Sequence, residues 1–324
     1  MGTLQTHLIS LISAPLFIFV IGLEVILSHI HPPHRFNWKD GLNNFMLSIL
    51  SGVMDLFARG LSLIVLAFTF ELRLDNLEHN IAYWILLLLL VDMMHYWLHR
   101  LGHTCRLFWA MHVNHHSSDQ FNFTVGFRAS VLEPFYRFIF FIPLTILGFQ
   151  PIDIFFIYSI TEIWAILTHT EKVRKLGWLE YIFVTPSHHR VHHASNPKYL
   201  DMNMGTVFIF WDKIFGTFQK ELPAEEYEPL RYGLTKPLEK ENLPHIIFHE
   251  WKNILWDLRR KDIGWKVKLS YLFGPPGWSH DGSRLTSHQL RLNEKWKTLK
   301  SKAPTENPGL PATPKSEYPC GQAV

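Results

Sequence analysis

Apolar residues along this chain gather in long blocks. Residues 8–30 contain Glu24 as their only Asp, Glu, Lys or Arg. A second block, 43–70, is interrupted by Asp55 and Arg59, and a third, 81–98, holds the run Trp84–Val91 before Asp92 and His95. A helix of about 20 apolar residues crosses a bilayer, so each block predicts a spanning helix. A secretory signal fits the first block poorly, because positions 1–7 carry no Lys or Arg and the apolar run is too long. Two further blocks, 131–149 and 152–168, meet at Gly148-Phe149-Gln150-Pro151, a turn signal that predicts a helical hairpin. Beyond residue 170 the chain becomes more charged. Residues 221–300 read as a Trp-studded helical extension, and 301–324, with five prolines, as a disordered tail.

Lys and Arg positions orient the spans. The first seven residues have none. Loop 31–42 has Arg35 and Lys39, and in loop 71–80 Arg73 stands against Glu71, Asp75 and Glu78. Arg100, Arg106, Lys172, Arg174 and Lys175 follow the third block. The positive-inside rule then predicts an outside N-terminus and a cytosolic location for everything after residue 98, the hairpin dipping in and returning. The expected fold is an all-α integral membrane protein, a multi-span helical bundle under a cytosolic, histidine-rich cap. Its expected parts are membrane helices (1–80), a histidine-cluster domain (81–220), a cytosolic helical extension (221–300) and the tail.

Composition narrows the function. The 324 residues are 48% hydrophobic and 18% charged, with a net charge of +3, which gives no electrostatic footprint for nucleic acid. Two cysteines, Cys105 and Cys320, exclude a disulfide scaffold, a Cys-rich zinc module and a Cys-ligated iron–sulfur cluster. Histidine is the outlier, with 20 residues. Eleven of them lie in three clusters and one adjoining position. His95, His99 and His103 recur every four residues, on one helical face. His112, His115 and His116 form H-x-x-H-H. His188, His189, His192 and His193 form HHRVHH, and His169 closes the fifth apolar block. Neutral imidazole suits iron, copper, nickel and zinc. A single zinc needs three or four protein ligands, and the clusters offer enough for two metals. Two imidazole-ringed metals at a membrane edge point to oxygen activation beside a lipid. No Glu-x-x-His pair marks a carboxylate di-iron bundle. A histidine-rich metal transporter is the rival from a different class. It would place ionisable residues mid-membrane, whereas these clusters lie at or just past segment ends.

The succession H-x-x-x-H, H-x-x-H-H and H-x-x-H-H resembles the fatty acid hydroxylase/sterol desaturase superfamily over roughly residues 85–220. The likeness includes Asp92, Tyr96 and Trp97 before His99-Arg100-Leu101-Gly102-His103, then WAMHVNHHSS, His169, TPSHHRVHH, Asp201-Met202-Asn203 and WDKIFGTF. YGLTKP at 232–237 and FGPPGW at 273–278 are similar to the alkylglycerol monooxygenase branch. The resemblance implies two iron ions on the cytosolic face and O2-dependent oxidation of a lipid C–H bond, in that branch ether cleavage to fatty aldehyde and glycerol. Sterol or fatty acid hydroxylation or desaturation is the alternative. It implies His99, His103, His112, His115, His116, His169, His189, His192 and His193 as metal ligands. His188, His95, Asp92 and Asn203 stand as further ligands or orienting groups. The electron donor is open among tetrahydrobiopterin, a haem cytochrome and ferredoxin, since Thr104 stands where the ether-cleaving branch carries an acidic residue. The setting is the endoplasmic reticulum in a eukaryote or the inner membrane in a bacterium. Phe135, Tyr136, Phe138 and Phe155 are expected to line a channel for the lipid tail.

Overall fold

A computed structural model describes residues 2–30 and 36–302, and the Pro-rich tail assigned from sequence lies outside them from residue 303 onward. The described residues form helices and turns with no strand. Three helices are long and apolar enough to cross a membrane: α1 (Gly2–Ile30), α2 (Trp38–Phe70) and α3 (Ile81–Thr104). Asparagine starts two of them. The Asn37 side chain accepts from the Lys39 and Asp40 amides at 3.1 and 3.2 Å, and that of Asn80 from the Tyr83 amide at 3.0 Å. α2 turns Leu56, Phe57, Ile64 and Phe68 outward, an exposed apolar face suited to lipid. Asp55 bonds Arg59 at 2.6 Å and pairs with Arg137, so the charges in the second block are mutually compensated.

The expected hairpin has unequal arms. Its return arm is α6 (Pro151–Leu167), opened by Pro151 at its first position. The leading arm is broken into two tight 3-10 turns, Glu133–Phe135 and Arg137–Phe141, running into the six-residue α5 (Ile142–Leu147). Pro143 has no N–H to bond the Ile139 carbonyl, so the helix restarts there. The tip lies against loop 71–80. Leu74 N bonds Ile146 O at 2.8 Å, and Tyr83 Oη donates to Asp153 at 2.7 Å. Gly148 turns the tip at φ +109°, and a Cβ there would stand 2.4 Å from the Asp75 carbonyl oxygen. A core of Leu66, Leu87, Val91, Phe138, Phe141, Ile154 and Phe155 joins α2, α3 and the hairpin.

At the opposite end of α3 follow α4 (Arg106–His112) and a 3-10 turn at His115–Ser117. α7 (Pro186–His193) and α8 (Phe210–Phe215) come later in the chain. Segment 221–242, expected to be mostly helical, holds turns and irregular backbone before α9 (Leu243–Arg259), α10 (Trp265–Phe273) and α11 (Ser287–Lys302). Arg106, buried, ties α4 to α9 through Glu250 at 2.6 Å and Asp257 at 2.7 Å.

Candidate metal centre

Five stretches of backbone deliver histidines to one place. α3 carries His99 and His103, α4 ends in His112, and the turn after it holds His115 and His116. His169 stands two residues past α6, and α7 supplies His189, His192 and His193. They form two groups, His99/His103/His112/His116/His192 and His115/His169/His189/His193, within each of which one nitrogen per ring lies within 4.8 Å of all the others. The groups adjoin: the His116 and His193 rings stack with centroids 4.4 Å apart. All nine histidines that the family likeness implies as ligands are in these groups, and no others among the described residues are.

The outer nitrogen of most rings is committed to a specific acceptor. His99 Nδ1–H donates to Met204 O at 2.9 Å, and His192 Nδ1–H to Met202 O at 2.9 Å. His103 Nδ1–H faces Asp201 Oδ1 at 3.2 Å. One four-residue strap, Asp201–Met204, therefore orients three imidazoles. Asp201 and Asn203 hold left-handed backbone, φ +54° and +56°, a conformation Asp and Asn tolerate better than most residues. In the second group, His115 Nδ1–H donates to Arg128 O at 3.2 Å and His169 Nδ1–H to Ala165 O at 2.8 Å.

These bonds fix the tautomers of His99, His103, His115, His169 and His192, so their inner Nε2 atoms carry lone pairs. The inner nitrogens crowd one another. His169 Nε2 stands 3.4 Å from His115 Nε2, 3.2 Å from His193 Nε2 and 2.9 Å from His189 Nε2. His116 Nε2 stands 3.1 to 3.2 Å from the Nε2 atoms of His103, His112 and His192, and one proton on it can satisfy only one of the three. His99 Nε2 is buried with no hydrogen-bond partner. Protons do not relieve the crowding. Burial, reinforced by neighbouring imidazoles, holds His115, His116, His189, His192 and His193 well below the usual histidine range, and burial brings His169 down to about 4. Converging lone pairs that resist protonation fit a metal cation. A metal–imidazole bond of about 2.1 Å sets neighbouring ligand nitrogens about 3 Å apart, the spacing seen here.

The other expected residues stand outside the two groups. Asp92 reaches no imidazole: its carboxylate accepts from the Val207 and Phe208 amides at 2.8 and 3.0 Å and from Trp211 Nε1 at 3.1 Å. Asn203 clamps backbone, donating to His188 O and Gln219 O. His188 serves the start of α7, its Nδ1 accepting the Thr185 amide at 3.3 Å. His95 stacks on Tyr158 at 5.4 Å, its Nε2 3.7 Å from Glu162. Of the proposed tail channel, only Tyr136 borders the 120 Å³ cavity that opens on both histidine groups. Phe138 and Phe155 pack together in the core, centroids 4.3 Å apart, and Phe135 faces outward. Sequence reading gave no role to Asp212. Its carboxylate accepts from Met204 N at 2.6 Å, Gly205 N at 2.9 Å and Thr217 Oγ1 at 2.6 Å, pinning the strap from behind. A Cβ on Gly205 would stand 2.8 Å from that carboxylate. The signal available was an acid inside the aromatic-flanked motif WDKIF.

Residues 84–217 match the fatty acid hydroxylase family model. The chain is 36% identical over 279 residues to the alkylglycerol monooxygenase of Homo sapiens, covering 84% of this chain and 60% of that protein. It is 34% identical to that of Danio rerio over 282 residues, with 84% and 60% covered. A Delta(7)-sterol 5(6)-desaturase of Gibberella zeae is 27% identical over 164 residues, 48% of this chain and 47% of that one. The chain thus spans about 60% of the length of the alkylglycerol monooxygenases it matches. No solved structure matches it.

Proposed function

Since the chain carries a fatty acid hydroxylase domain and resembles alkylglycerol monooxygenases over most of its length, we propose that it is a membrane-bound, O2-dependent lipid monooxygenase acting on ether lipids. The single observation that carries the metal assignment is the set of nine imidazoles whose ring nitrogens converge in two adjoining groups. His99, His103, His112, His116 and His192 would hold one iron, and His115, His169, His189 and His193 the other. The first group exceeds the four ligands of a structural zinc site. Bound there, the two irons would supply the activation of O2, with electrons from an external donor. The fold contributes orientation and dryness. Strap Asp201–Met204 fixes three ligands, the Ala165 and Arg128 carbonyls fix two more, and burial keeps the rings neutral and ready to ligate.

The rival metal-transporter reading loses support from the placement of the groups. They gather at one end of the spans, around His103 at the end of α3 and the helices after it, and not along a path through the bundle. We assign this end to the cytosolic side from the Lys and Arg distribution. The test is product analysis. Iron-loaded protein in lipid vesicles, given a hexadecyl glyceryl ether, reduced pterin and 18O-labelled dioxygen, should yield hexadecanal and glycerol, with one labelled atom entering product. Repeating the assay with a haem cytochrome or ferredoxin identifies the donor. A hydroxylated or desaturated lipid without cleavage would move the protein to the sterol and fatty acid branches.

A further inference from the structure

The 120 Å³ cavity is bordered by imidazoles of both groups, among them His99, His112 and His169, which makes it the place where a reacting carbon would meet both metals. The rest of its lining is not what an alkyl tail needs. Glu133, Arg137, Glu162 and His95 all border it, beside Ser51 and Ser130. Glu162 stands on α6, a helix otherwise rich in apolar residues, where a charge is costly and needs a reason. Arg137 bonds Asp55, an acid it shares with Arg59. Neither glutamate stands in an ion pair with Arg137: Glu133 lies 3.7 Å from His112 Nδ1 and Glu162 3.7 Å from His95 Nε2, both beyond hydrogen-bond length, and Glu162 meets the Tyr158 hydroxyl on its own helix. Two buried nitrogens beside them, His95 Nδ1 and Arg137 Nε, have no partner. The volume accommodates about four water-sized groups at roughly 30 Å³ each. That suits a short polyol.

Resting on the lipid-oxygenase reading above, we propose that Glu133 and Glu162 form the head-group end of the substrate pocket. They accept hydrogen bonds from the hydroxyls of an uncharged head, and so bring a carbon within a few bonds of that head to the histidine groups. Ionised carboxylates only accept, so they favour O–H donors, and they oppose an anionic head. The oxidised position is thereby set from the head, and tail length matters little.

The test uses the full-length, iron-loaded chain in vesicles with three probes: a hexadecyl glyceryl ether, the matching ether of propane-1,3-diol, which lacks one hydroxyl, and the glyceryl ether phosphorylated at its terminal hydroxyl. The wild type should favour the glyceryl ether over both others by tenfold or more in kcat/KM, the usual consequence of leaving a charged acceptor unpaired. Glu162→Gln and Glu133→Gln should shrink that ratio, mainly through KM, with iron content unchanged. Glu162→Asp keeps the charge and covers the case in which the amide variant does not fold. Equal turnover of the three probes by the wild type overturns the proposal, as does a ratio that no variant moves. These outcomes leave the oxygenase reading standing, whereas iron-loaded wild type that oxidises no lipid removes both.

Discussion

Replacing Asp212 by alanine probes how the fold holds its histidines. The carboxylate accepts three hydrogen bonds, two from the Met204 and Gly205 amides and one from the Thr217 hydroxyl. Hydrogen bonds to a charged group contribute about 1.5–3 kcal/mol each, and a buried amide left unpaired costs about 1–3 kcal/mol. The full sum is not available, because burial raises the Asp212 pKa to about 6 and so makes the ionised carboxyl itself costly. A net loss of about 3 kcal/mol is expected for Asp212→Ala. The loss is local to the strap: Met204 O is the acceptor of His99 Nδ1–H, and removing such a partner typically weakens metal affinity 10–100-fold. Asp212→Asn keeps the shape but turns an NH2 group toward one donor, and should fall between wild type and alanine. The assay is iron retention against a graded chelator, with thermal unfolding in the same detergent. Wild-type iron retention together with an unchanged unfolding midpoint in Asp212→Ala would refute the reasoning.

His116→Ala removes the imidazole that faces His103, His112 and His192. It should lose iron from the first group, while His95→Ala, outside both groups, should keep wild-type iron by elemental analysis. Metal-stripped protein should lose stability as pH falls. The six shifted imidazoles outside the spans, among them His169 at about 4, lie below the ordinary 6.5. Depressed histidines favour the fold above pH 6.5, and the unfolded chain takes up protons below it. Denaturant titrations between pH 7 and 5 should therefore show a fall of roughly 5 kcal/mol or more, and a flat profile would mean that the rings are not buried neutral. Gly148→Ala should destabilise by about 2 kcal/mol or more, from its left-handed φ and the Asp75 carbonyl 2.4 Å from the new Cβ. Iron content should not change, since the hairpin tip lies at the far end of the bundle from the histidines.

What the sequence made legible was whatever repeats or stands out locally. Long apolar blocks located α1, α2 and α3, and spacing of three and four residues marked the histidines before any geometry was known. What it hid were contacts between distant residues. Asp92 lies two turns before His99 on α3, a spacing that suggested an imidazole partner, yet its acceptors are taken by amides more than 110 residues away. Periodicity fixes the face of a helix but not the loop that comes to cover it. The strap had no periodic signal, because two of its three contacts to imidazoles are made by the Met202 and Met204 carbonyls, which any residue would supply. The aromatic run at 135–141 misled for a related reason. Composition could not separate lipid-channel rings from core rings, and Pro143 broke the arm so that Phe138 turned inward against Phe155.

The central claim, two irons held by imidazoles alone, is tested most directly by metal analysis of the purified full-length chain. The account predicts about two irons per chain, falling to at most one in both His116→Ala and His169→Ala, with no haem absorbance. Stoichiometric zinc, a single iron lost in only one of the two variants, or a haem spectrum would contradict it.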